Sequence, residues 1–131
     1  MIVADTNLIA YLLIDGEHTE AARKVWAKDP DWRVPPLWRS EFLNVLRTAV
    51  VSRVISEEQA FDTWHHAVGI FGGMEFSPSG EKVLEAAFKY GISAYDAHFV
   101  AVALELGARL VTGDKKIVRN CGKLAVKMEE F

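Results

Sequence analysis

The chain predicts an α/β fold in which a mostly parallel sheet of four to five short strands has helices on both faces. Three observations predict it. The apolar runs of strand type are short, they alternate with longer segments of helical periodicity, and 50% of the 131 residues are hydrophobic, enough to bury such a sheet. Ile2-Val3-Ala4 is the first strand, followed by the polar turn Asp5-Thr6-Asn7 and the apolar stretch Leu8 to Ile14, which reads as the first helix. His18 to Ala27 is a second helix with Ala21, Ala22, Val25 and Trp26 on one face, stopped by Asp29-Pro30. Trp32-Arg33-Val34 is the next strand. Pro35-Pro36 then opens a long amphipathic helix from Leu37 to about Val51, because proline is tolerated in a first helical turn.

Ser56-Glu57-Glu58 starts another helix that reaches about Phe71 and ends at Gly72-Gly73. Met74-Glu75-Phe76 has the composition of a further, weakly marked strand. Ser79 to Tyr90 is a helix closed by Gly91, and Ser93 opens a strongly apolar helix that runs to Leu106 and stops at Gly107. Arg109 to Thr112 is a strand, Lys115 to Asn120 a short helix and Leu124 to Lys127 the last strand. No repeat, low-complexity run or flexible linker divides the chain, so one domain over 1–131 is expected.

Fifteen basic and 18 acidic residues leave a net charge of -3, which excludes a uniformly basic nucleic-acid coat but not a local basic patch. The single cysteine, Cys121, forms no internal disulfide or cysteine zinc site, and a cytoplasmic, reducing location is expected. Met1 leads straight into Ile2-Val3-Ala4-Asp5 without a basic segment or cleavage site, so secretion is not expected. The longest apolar run, Leu8 to Ile14, has seven residues, against the roughly 20 of a membrane span, so no membrane association is expected.

In open parallel sheets the functional crevice lies at the carboxyl ends of the strands. Asp5 and Asp114 both sit at such ends, although each taken singly reads first as the N-cap of the helix that follows. Glu41 falls on the apolar stripe of its helix, four residues from both Leu37 and Val45. A carboxylate turned toward a core costs several kcal/mol unless a cation or hydrogen bonds compensate it, so Glu41 either has a partner or snorkels from the stripe's edge. Asp96 lies in an otherwise apolar helix, where Ser93-Ala94-Tyr95-Asp96 also matches a capping box.

Jointly the four acids suggest more than capping. Two carboxylates about 4 Å apart repel by about 4 kcal/mol at an effective dielectric near 20, so a shared crevice implies protonation or a bound cation. Oxygen-only ligands favour a hard divalent ion, Mg2+ or Mn2+, which suits phosphodiester hydrolysis.

Asp5-Thr6-Asn7-Leu8-Ile9, Ser40-Glu41-Phe42-Leu43-Asn44-Val45-Leu46, Ala94-Tyr95-Asp96-Ala97 and Thr112-Gly113-Asp114, in this order, resemble the PIN-domain nucleases, and within them the VapC-type toxins of toxin-antitoxin modules. The resemblance spans essentially the whole chain and has no departure at the four acids. It implies a PIN-like three-layer fold and a metal-dependent endoribonuclease, with Asp5, Glu41, Asp96 and Asp114 as a catalytic quartet around Mg2+ or Mn2+. Asp5 and Asp96 would be the firmest ligands, Glu41 would complete the site or handle water, and Asp114 would support a metal through water. Thr6, Asn7 and Thr112 match the polar shell that orients these groups. The same resemblance implies an RNA substrate, a homodimer and an antitoxin whose C-terminal segment covers the cleft.

From Arg109 to Lys127 six basic residues stand against one acid, Asp114. Lys115, Lys116 and Arg119 are therefore expected to hold the RNA backbone, with Arg39, two residues before Glu41, and Arg47 as further candidates, unless this is an ordinary solvated helix face. Neither a phosphate loop nor a Gly-x-Ser-x-Gly elbow occurs. His65 and His66 are helix neighbours that point about 100 degrees apart and do not share a metal. His98 reads as a satisfied helix histidine, Cys121 as a buried thiol, and Trp26, Trp32, Trp38 and Trp64 as core or interface residues. Two other classes remain. An aspartyl-phosphatase would want an acid where Asn7 stands, and a non-catalytic PIN-like module would only dock RNA or protein.

Overall fold

Alternation along the strands decides the layers. In β1 (Ile2–Ala4) Ile2 and Ala4 join one apolar core and Val3 the other, since successive strand residues point to opposite faces. In β3 (Arg109–Thr112) Val111 joins the first core and Leu110 the second. The computed structural model describes residues 1–131 and completes the sheet with β2 (Trp32–Arg33) and β4 (Ala125–Lys127). The order is β2-β1-β3-β4 and every pairing is parallel, with Ala4 opposite Val111 and Val111 opposite Val126. All four strands therefore present their carboxyl ends on one side.

The first core is closed by α1 (Thr6–Leu13), α2 (Thr19–Lys28), α3 (Trp38–Val51) and α4 (Glu57–Phe71). The second is closed by α5 (Gly80–Tyr90), α6 (Ala94–Leu106) and α7 (Lys115–Cys121). This is the α/β, three-layer arrangement expected. Gly91 and Gly107 close α5 and α6 at φ of 64° and 63°, the left-handed conformation that favours glycine at a helix end. Trp32 and Trp38 are fully buried, with Phe71 packed 5.8 Å from one ring and 5.9 Å from the other. Their indole N–H groups are satisfied by the Asp29 carbonyl at 2.8 Å and the Glu75 carboxylate at 3.2 Å, as buried tryptophans require.

Several boundaries differ from the sequence reading. Asp5-Thr6-Asn7 is not a free turn: α1 begins at Thr6 because the Asp5 side chain caps it. Met74-Glu75-Phe76 is not a strand. Gly72–Met74 forms a 3-10 turn running on from α4, and a single bridge pairs Glu75 with Val34. The ladder cannot extend far beyond it, because Pro78 has no N–H to donate. Val34 accordingly falls outside β2, and Leu124 lies in a 3-10 turn before β4. No helix is long and apolar enough to cross a membrane.

Candidate active site

Asp5 and Asp114 leave neighbouring parallel strands, so the sheet itself brings them to one end of the molecule. Both cap a helix there. Asp5 Oδ1 accepts from the Leu8 N–H at 2.8 Å, and Asp114 Oδ1 accepts from the Lys116 N–H at 2.8 Å and the Ile117 N–H at 3.3 Å. Each cap engages one oxygen of a carboxylate that has two. Asp5 Oδ2 accepts a hydrogen bond from the Thr112 hydroxyl, while Thr112 Oγ1 in turn accepts from the Asp114 N–H at 3.0 Å. Thr112 is fully buried and thus locks the β3–α7 turn to the end of β1.

Glu41 reaches the same place from α3. The Thr6 hydroxyl donates to its Oε1 at 2.7 Å, and Thr6 is the first residue of α1. Asp96 comes from the first turn of α6, where Ser93 Oγ accepts from the Asp96 N–H at 3.1 Å. Only this backbone half of the capping box forms, so the Asp96 carboxylate is left for the cleft. Asp5, Glu41, Asp96 and Asp114 all line a cleft of about 500 Å³, together with Thr6, Asn7, Ser40 and Asn44. Thr112 lies just beneath it, bonded to two of the acids' residues.

The electrostatics agree with the crowding. Burial pushes the Asp5 carboxyl up to about 6, against the downward pull of the Thr112 and Leu8 hydrogen bonds, and the charges of Asp114 and Glu41 add to the rise. Burial also raises Glu41, opposed by its bond from Thr6, with Asp96 adding to the increase. Asp96 is raised by burial and by Asp114, while Ser93 and Lys116 work the other way. Three of the four acids thus resist ionisation in the protein alone. An all-oxygen donor set of this kind fits a hard divalent cation, which would remove that resistance. As the side chains stand, no three of them are gathered tightly enough to hold an ion. Thr6, Thr112 and the two helix N-termini instead hold individual oxygens.

Other residues fall less centrally. Lys115, Lys116 and Arg119 are exposed on α7, the helix capped by Asp114, and Lys116 is near enough to Asp96 to favour its charged form. Arg39 does not face the cleft. Its guanidinium makes a two-pronged pair with Glu75, with nitrogen to oxygen distances of 3.0 and 2.8 Å. Arg47 lines an apolar hollow with Leu43, Phe61 and Trp64. His98 is satisfied within its own helix, its Nδ1 lying 2.6 Å from the Ala94 carbonyl, yet it is close enough to Glu41 to affect its charge. Cys121 is buried, and burial raises its thiol pKa. Ser40 and Asn44 had no assigned role. Their spacing along α3 was the available signal, since Asn44 lies three residues after Glu41 and four after Ser40, and residues three or four apart share a side of the helix.

Residues 2–123 match the model of the PIN domain, and the chain belongs to that family. Ribonuclease VapC3 of Pyrobaculum aerophilum is 25% identical over 122 residues, which cover 91% of this chain and 93% of that protein. The crystal structure of PAE2754, also from Pyrobaculum aerophilum, has the same fold with a TM-score of 0.76 and 22% identity, covering 98% of this chain and 83% of that one. A chain of a toxin-antitoxin complex from Klebsiella pneumoniae superposes with a TM-score of 0.70 and 18% identity over 100% of both chains.

Proposed function

We propose that the protein is a Mg2+- or Mn2+-dependent endoribonuclease that hydrolyses RNA phosphodiester bonds, and that it is the toxin of a VapBC-type toxin-antitoxin pair. The observation that carries this reading is the convergence of Asp5, Glu41, Asp96 and Asp114, from four separate elements, on one cleft. When bound there, a divalent ion polarises the phosphate, lowers the pKa of an attacking water and offsets charge on the leaving group. Asp5 and Asp96 are the ligands we assign first, with Glu41 and Asp114 completing the set.

The chain's own groups have separable tasks. The Thr112 and Thr6 hydroxyls donate to Asp5 and Glu41 and so fix the direction in which these carboxylates present their remaining oxygens. Glu41 lines the cleft and keeps Oε2 free of protein partners, so we assign it the handling of the attacking water. Lys115, Lys116 and Arg119 would hold the phosphate backbone. Arg39, engaged by Glu75, contributes to RNA binding only if that pair opens.

An antitoxin partner, a homodimeric state and a cytoplasmic site of action complete the proposal. The toxin-antitoxin assembly of a structural neighbour and the name of the VapC3 relative support the partner. The test is cleavage of a mixed RNA pool by the wild type in Mg2+, in Mn2+ and in EDTA, beside Asp5→Asn and Asp96→Asn. Cleavage confined to the wild type with metal supports the proposal. A folded wild type that binds RNA but cleaves none under any of these conditions would leave the alternative, a non-catalytic PIN-like binding module.

A further inference from the structure

The wall of the acidic cleft contains no lysine or arginine. Its cations stand outside, on α7, so the wall itself offers a polyanion little beyond the acids. What it does offer is a second kind of surface. Leu37, Tyr95 and Phe99 line it beside Glu41 and Asp96, and Phe99 is only 4% exposed whereas Tyr95 is 66% exposed. Tyr95 is the one open aromatic ring in the wall. It is the second residue of α6, immediately before Asp96, and the cap from Ser93 to the Asp96 N–H fixes the backbone that carries it. Across the cleft, α3 presents Glu41 and, three residues on, the exposed Asn44, whose side-chain amide carries both a donor and an acceptor.

We infer that Tyr95 and Asn44 form a nucleobase subsite, in which one unpaired base beside the bond to be cut stacks on the Tyr95 ring and is read at its edge by the Asn44 amide. This rests on the endoribonuclease reading and requires that the base beside the cut be unpaired. Bases in an A-form duplex have their faces already stacked, whereas a splayed base has a face to give to an aromatic side chain. Stacking is indifferent to phosphate charge, which is why it suits a wall that lacks cations. The hydrogen-bonding amide supplies the base preference that stacking alone does not.

The experiment uses a single-stranded oligoribonucleotide with a mapped cleavage position and versions in which each flanking base in turn is replaced by an abasic ribose. In the wild type, one abasic position should lower kcat/KM about tenfold, within the range that stacking one base on an aromatic ring supplies. Tyr95→Leu should lose a similar factor on intact RNA, mainly through KM, and become insensitive to that abasic substitution. Tyr95→Phe should keep both the rate and the sensitivity. Asn44→Ala should change the order of preference among the four bases at that position.

An equal abasic effect in wild type and Tyr95→Leu, or no effect in either, overturns the subsite while leaving the reaction in place. If the wild type leaves RNA intact, the reaction assignment fails instead. The subsite is then judged by fluorine NMR of protein labelled with 3-fluorotyrosine, the Tyr95 signal being assigned from Tyr95→Phe, during titration with the same oligonucleotides. A Tyr95 shift produced by intact RNA and missing with the abasic version sustains it, and the same response to both overturns it.

Discussion

Asp5 and Asp114 are built by the same device and end up in different states. Each follows a parallel strand, each caps the next helix with Oδ1, and each is connected to Thr112. Asp5 is 8% exposed and its carboxyl is pushed up to about 6, whereas Asp114 is half-buried at the rim. Both β1 and β3 are interior strands, so the difference arises beyond their ends. Asp5 follows β1 directly and is held beside Thr6 and Thr112, while the exposed Gly113 carries Asp114 one residue further from β3. A motif read along the chain therefore identifies both acids as caps and cleft residues, but only the fold sets how deeply each is buried.

The largest expected effect is on catalysis. Asp5→Asn should lower RNA cleavage by about 10³-fold, comparable to removing a preorganised charge-stabilising group, and Asp114→Asn by clearly less, about 10-fold to 100-fold. Single-turnover cleavage rates would measure both, and equal losses would break the distinction between them. Stability should move in the opposite sense. Without metal at pH 8, Asp5→Asn should stabilise the fold by at most about 3 kcal/mol, because it removes a buried charge and keeps an acceptor for the Leu8 N–H but loses the acceptor for the Thr112 hydroxyl. Asp114→Asn should change stability by only a few tenths of a kcal/mol, since Asn and Asp cap helices about equally well. Urea unfolding in EDTA separates the two.

The pH dependence follows with a fixed sign. Asp5 binds its proton more tightly folded, with a pKa of about 6, than at its ordinary 3.8. Its contribution to stability is therefore fully present below about pH 4, is lost as the pH rises to about 6, and is constant above. Glu41 and Asp96, also raised by burial, act in the same direction. Metal affinity should run the other way and rise through pH 6 as the ligands ionise. A further substitution sharpens the comparison at its hinge. Thr112→Val removes the hydroxyl that favours the charged form of Asp5, so the acid limb of the pH–rate profile should move to higher pH with a loss of about 10-fold to 100-fold.

Much of this was legible in the sequence because it is local or periodic. Strand ends, helix caps and the place of Glu41 on an apolar stripe all follow from spacing. Capping does not by itself exclude Asp5 and Asp114 from a metal site, because each caps with Oδ1 alone. Arg39 illustrates the opposite limit. Its partner Glu75 is 36 residues away and is brought close by the bridge to Val34, so no helical periodicity could show that its charge is engaged. Asn44 and Tyr95 were obscured for another reason: a polar or aromatic residue on an exposed helix face looks solvated until a second helix is placed across from it.

The most direct test of the central claim, that these four carboxylates form one cation site, is Mn2+ titration calorimetry near pH 6 in two buffers of different ionisation enthalpy. Wild type should bind Mn2+ saturably and release protons on binding, and Asp5→Asn should lose both the binding and the release. Binding of equal affinity in Asp5→Asn, or no binding in a folded wild type, would contradict the account.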